Sequence, residues 1–115
     1  MKDFLLVFRA DYNTMPKASP EQMQATTKRY MDWIGGIAAQ NKLTDRGNSL
    51  VPSGKVVKAG NVITDGPYTE IKECIMGYSI VKAESIEEAT ELAKGCPILT
   101  FGGNVEVREI RIMEV

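Results

Sequence analysis

The chain has 115 residues, 14 of them basic and 15 acidic, a net charge of −1, 43% hydrophobic residues and no histidine. That length is one ordinary domain, residues 1–115, and the balance is globular rather than disordered. Scattered basic residues argue against direct nucleic-acid binding, the missing histidine excludes imidazole bases and histidine metal ligands, and no apolar run approaches the about 20 residues of a membrane span.

Residues 3–10, Asp-Phe-Leu-Leu-Val-Phe-Arg-Ala, read as a strand. Phe4, Leu6 and Phe8 share one face, and Leu5 and Val7 the other. Apolar residues on both faces predict burial on both sides. The run from Phe4 to Phe8 is too short for a signal-peptide core, so the cytoplasm is the expected compartment. A polar loop covers 11–18. A helix then starts at Ser19 as N-cap, with Pro20 at the first helical position and Gln22 completing a capping box. Met23, Thr27, Tyr30, Ile34 and Ile37 recur at helical spacing and predict its buried stripe. Gly35 and Gly36 cost helix stability, which close packing on a sheet explains. Asn41 suits a left-handed C-cap.

Residues 43–64 read as extended chain with turns. Val56, Val57, Val62 and Ile63 flank Ala59-Gly60-Asn61, a hairpin signal. Asp65-Gly66-Pro67-Tyr68 forms a further loop, and residues 75–83 form a strand with Met76, Tyr78 and Ile80 on one face. A second helix covers 86–94, with Ser85 and Glu88 as a capping box, Gly95 at its C-terminus, and Cys96-Pro97 as a stop. After Gly102-Gly103-Asn104, residues 105–112 form the last strand. Its apolar parity changes between Val107 and Ile110, which a bulge or a crossing into another subunit accounts for.

The order is the ferredoxin-like βαββαβ motif with an accessory hairpin, an α+β fold. Both helices then cover one face of the antiparallel sheet, and the other face meets water or a partner. The apolar character of both faces of residues 4–8 favours a partner, and two sheets face to face make a dimeric α+β barrel.

The stretch Asp65-Gly66-Pro67-Tyr68-Thr69-Glu70-Ile71-Lys72-Glu73, followed by Gly77-Tyr78, resembles the signature of the DGPF subgroup of YCII-related proteins. The resemblance extends through the second helix, Cys96-Pro97 and Val-Glu-Val-Arg at 105–108, and so covers nearly the whole chain. It implies the dimeric α+β barrel and a homodimer. Tyr68 stands where the subgroup has phenylalanine. A histidine–aspartate pair suggested as an active site in the wider family has no counterpart here, because there is no histidine.

Two readings of the loop stay open. Asp65 either accepts hydrogen bonds from turn amides, with Gly66 and Pro67 shaping the turn, or acts as acid/base or ligand anchor at a cavity rim. In the second case Tyr68 donates a proton or stacks, Arg9 binds an anionic group as a bidentate donor, and Glu70 and Trp33 line the ligand. Arg9 could equally pair with an acid of the sheet, and Trp33 could be a core aromatic. Cys74 and Cys96 form no CxxC pair and read as inert thiols. No metal site is expected, nor any cofactor.

Three functional classes follow: a cofactor-independent enzyme acting on a small organic molecule, a ligand-binding or regulatory module, and a dimer with a filled cavity. The subgroup's resemblance to accessory proteins of transcription initiation implies a sigma-factor partner for the second class.

Overall fold

The structure, a computed structural model, describes residues 1–11, 19–66 and 74–113. Its elements are β1 (Lys2–Ala10), α1 (Pro20–Ala39), β2 (Leu43–Asp45), β3 (Gly54–Lys58), β4 (Val62–Gly66), β5 (Cys74–Ala83), α2 (Ile86–Ala93), a short 3-10 helix (Pro97–Phe101) and β6 (Asn104–Glu109). The main sheet has the order β2-β5-β1-β6, with every pairing antiparallel. Two split β-α-β units thus interleave, which is the ferredoxin-like arrangement. β3 and β4 form a separate two-stranded sheet, the accessory hairpin.

Alternation along β1 decides what each face holds. Phe4, Leu6, Phe8 and Ala10 enter the core with Val81 and Ala83 of β5, Ile37 of α1, and Ala89 and Ala93 of α2. The helices therefore lie on one face of the sheet. Val105 and Val107 of β6 pack on the same core. Leu5, Val7 and Arg9 point the other way, beside Tyr78 and Ile80. A β-bulge interrupts this pairing: Phe8 faces Gly77 but Arg9 faces Ile75, so Met76 is the extra residue. Met76 packs against the helix-side core, whereas Tyr78 and Ile80 lie on the open face. Strict alternation contains no bulge and therefore predicts all three on one face.

Ser19 caps α1 as expected. Its Oγ accepts from the Gln22 amide at 3.1 Å, and its own amide donates to Gln22 Oε1 at 2.8 Å. Past α1, Asn41 takes φ 59. The buried stripe is shorter than its spacing suggested. Ile34 and Ile37 are buried, but Met23 and Thr27 are exposed, because the first half of α1 runs past the edge of the core. Gly35 and Gly36 are also exposed, and a Cβ at either would meet nothing within 4 Å. They face solvent and not the sheet.

At α2, Ser85 Oγ accepts from the Glu88 amide at 3.2 Å. The Glu88 carboxylate turns away to Lys42 Nζ at 2.9 Å, tying α2 to the chain after α1. Gly95 has no left-handed backbone. It is small because a Cβ there would come within 2.7 Å of the Trp33 ring. Strand β6 ends at Glu109, short of residue 112, so the parity change falls where pairing stops.

Residues 46–50 extend the β2 edge irregularly. The Tyr78 amide donates to Asn48 O at 3.1 Å, and the Leu50 amide to Met76 O at 2.8 Å. Gly47 makes this approach possible. Its φ is +69, and a Cβ would sit 1.7 Å from the Tyr78 carbonyl oxygen. Ser79, buried, donates to Arg46 O at 2.6 Å, which satisfies its hydroxyl.

Candidate functional site

The sheet face without helices carries a cluster of three charged side chains. β1 and β6 pair so that Val7 faces Glu106 and Leu5 faces Arg108. Arg9 Nε then donates to Glu106 Oε1 at 3.1 Å, and Arg108 Nη1 to Glu106 Oε2 at 3.3 Å. The hydrogen bond from Arg108, and then the one from Arg9, hold the Glu106 carboxyl below the usual carboxylate range. Two guanidiniums thus reach one carboxylate beside an apolar strip of Leu5, Val7, Tyr78 and Ile80. At the far end of the strip, Thr44 Oγ1 donates to Asp3 Oδ1 at 2.6 Å.

Asp65 lies elsewhere, at the root of the β3–β4 hairpin. It faces Lys55 across the two strands, and Lys55 Nζ reaches Asp65 Oδ1 at 2.6 Å. The Asp65 side chain is 92% exposed. A groove of ≈ 470 Å³, open to solvent, runs beside it along Ser53, Gly54, Lys55 and Gly66. Within one chain this carboxylate is therefore not enclosed. Tyr68 and Glu70 lie outside the described residues.

Trp33 sits on the opposite side of the main sheet from Arg9. Its Nε1 donates to Leu92 O at 2.9 Å, and its ring meets Phe8 and Tyr30 with centroids 5.9 Å and 6.4 Å away. The arrangement is that of a packed aromatic cluster with its one polar atom satisfied. Tyr30 shares a hydrogen bond with Cys96, and burial pushes the ionisation of both groups upward. Cys74 and Cys96 are buried free thiols.

The structure thus separates the described candidates from the sequence: Arg9 on the open face, Trp33 in the helix-covered core, and Asp65 on the hairpin. Glu106 and Arg108 were not among those candidates. Their signal was present in the alternation Val105-Glu106-Val107-Arg108, which sets both charges on the face of β6 away from its valines. Among the described residues, no group of three Asp, Glu or Cys side chains could hold a metal ion, and no helix is long and apolar enough to cross a membrane.

A search of curated proteins finds no match for this chain. The family model of the YCII-related domain matches residues 5–114, the span that holds both the interleaved β-α-β units and the open-face cluster, and the protein belongs to that family.

Proposed function

We propose that this protein binds a small organic ligand on the uncovered face of its main sheet, as a homodimer in which a second copy closes that face into a cavity. The observation that carries the reading is the Arg9–Glu106–Arg108 cluster beside the apolar strip of Leu5, Val7, Tyr78 and Ile80. A sheet covered by helices on one side alone leaves its other face to water or a partner, and the apolar strip there favours a partner. Two such sheets pack about 10 Å apart, which is the dimeric α+β barrel. A lining of apolar surface with a few fixed polar groups is the usual make-up of a small-molecule site. The guanidiniums favour an anionic group on the ligand, and the strip favours an apolar body. The Asp65-Gly66-Pro67-Tyr68 sequence supports membership of the DGPF branch. A cofactor-independent reaction would further require Asp65 as acid/base, and so would require its enclosure.

The test is titration calorimetry with short aliphatic and aromatic monocarboxylates, together with native mass spectrometry for a co-purified molecule. Replacing Arg9 and Arg108 together by methionine should weaken binding at least about tenfold, since charge-assisted bonds are worth about 1.5–3 kcal/mol. Unchanged affinity in that double variant moves the site off the open face.

A second reading, a protein partner of the transcription-initiation kind, draws on Met23 and Met31, which are 60% and 48% exposed on α1. Methionines are common at adaptable binding surfaces, although single exposed apolar residues are ordinary. A pull-down that recovers no polymerase or sigma component removes this reading.

A further inference from the structure

Among the described elements, the β3–β4 hairpin has no extensive packing partner. It pairs from Gly54↔Gly66 to Lys58↔Val62. A lone two-stranded hairpin is marginal in water. This one carries a cross-strand Val57–Ile63 pair on the face it shares with Lys55 and Asp65, and Val62 on the other face. Val57, Val62 and Ile63 are 69%, 52% and 65% exposed. The projecting hairpin helps explain a radius of gyration of 15.6 Å and a flat body of 47 × 43 × 18 Å, where a globule of this length has about 13–14 Å.

A second outlier follows β6. The Ile110 amide still donates to Asp3 O at 2.9 Å, but Ile112 and Met113 are 84% and 85% exposed. The register places these outliers at diagonal corners. The hairpin leaves beside Met76 on the β2 edge, at the end where Ala10 meets Cys74. The tail leaves the β6 edge at the end where Lys2 meets Ala83.

Val57 and Ile63 on one face of the hairpin, with Ile112 and Met113 on the tail, expose on the order of 500 Å², and the sheet face that receives them in a two-fold pair adds toward the about 800 Å² that a standard interface takes from each partner. The same chain offers a receiving surface, the open face of its sheet, where Leu5, Tyr78 and Ile80 are half-buried and Val7 is 9% exposed. A two-fold axis matches one patch with its own copy. The net charge of −1 puts little repulsion between copies.

We infer that the β3–β4 hairpin docks across a second copy of this chain, and that Asp65 at its root becomes enclosed there, at the seam between the two. The inference rests on the homodimer of the proposed function and adds to it which element reaches across. It also makes the candidate acid/base site a property of the pair, since a single chain leaves Asp65 in an open groove.

The experiment compares the wild-type chain with the double variant Val57→Lys, Ile63→Lys by sedimentation equilibrium, with far-UV circular dichroism as the check on folding. The wild type should be dimeric and the variant folded, with dimerisation weakened at least about 30-fold, as expected for charges placed in an apolar contact. A wild type that stays monomeric throughout the micromolar range overturns both the homodimer and the docking hairpin. A wild-type dimer left intact by the double variant keeps the homodimer and overturns the hairpin's role. If the variant loses its native spectrum, hydrogen exchange on the wild type decides. Amides of residues 55–65 should gain protection as concentration rises through dimerisation, and exchange independent of concentration refutes docking. For the seam, Asp65→Cys should react with a thiol reagent at least about tenfold more slowly in the dimer than in the same chain carrying the two lysines, by the link between access and thiol reactivity. Equal rates refute the enclosure.

Discussion

Glycines at two left-handed positions have unequal consequences, and the difference lies in what surrounds them. Gly47 has φ +69 with the Tyr78 carbonyl oxygen 1.7 Å from a hypothetical Cβ, whereas Gly60 has φ +81 and open space. Backbone cannot retreat as a flexible side chain can. Gly47→Ala should therefore destabilise by more than about 3 kcal/mol or abolish folding, and Gly60→Ala by about 1–2 kcal/mol, read by urea unfolding. At Tyr30 the outcome depends on pH. Burial raises its ionisation above the ordinary 10.0. A group with a raised folded value contributes its full stability below the unfolded value and loses it as pH rises. The wild type should thus lose stability progressively above about pH 10, more steeply than Tyr30→Phe, in alkaline unfolding curves. Burial raises the Cys96 thiol likewise, and slow reaction of Cys96 with thiol reagents in the native state belongs to the same picture.

Among the elements, α1 shows where local signals sufficed. Ser19, Pro20 and Gln22 specify a start that involves only neighbouring residues, so the capping box was readable before any tertiary contact. The inner face of α1 was not, because Met23 and Thr27 keep helical spacing whether or not the sheet extends beneath them. Gly35 and Gly36 illustrate the same limit. They sit in a helix interior without a close neighbour, so Gly36→Ala should raise stability by about 1 kcal/mol in denaturant titration. A loss of stability would mean that a contact absent from the single chain needs the glycine. The β3–β4 hairpin was legible from Ala59-Gly60-Asn61 between β-branched residues, since a turn and its flanking strands are consecutive in the chain.

For the whole molecule, the open-face cluster sets an acid dependence. Hydrogen bonds from Arg108 and Arg9 lower the Glu106 carboxyl in the folded state. Such a group stabilises above its unfolded value, about 4.3, and that contribution disappears as pH falls through the lower folded value. Glu106→Gln should flatten the acid limb of the stability curve below about pH 4–5, and added salt should shrink the difference, because the trio is exposed and screened. The cluster also shows why the site was harder to read than the fold. Arg9 could be proposed from the end of one strand. Its partner is 97 positions away, and which strand lies beside β1 is a matter of topology.

The sequence by itself determined the element order, the caps of α1, the hairpin turn and the ferredoxin-like class, because each rests on residues near one another in the chain or on periodicity within one element. Its family was legible for the same reason, in motifs that keep their order along nearly the whole chain. Tertiary structure decided the bulge at Met76, the exposure of Gly35 and Gly36, the packing of Trp33 against Gly95, and the meeting of Arg9, Glu106 and Arg108. Those features depend on strand register and on where one layer ends above another, and a one-residue change of register turns every side chain of a strand to the opposite face.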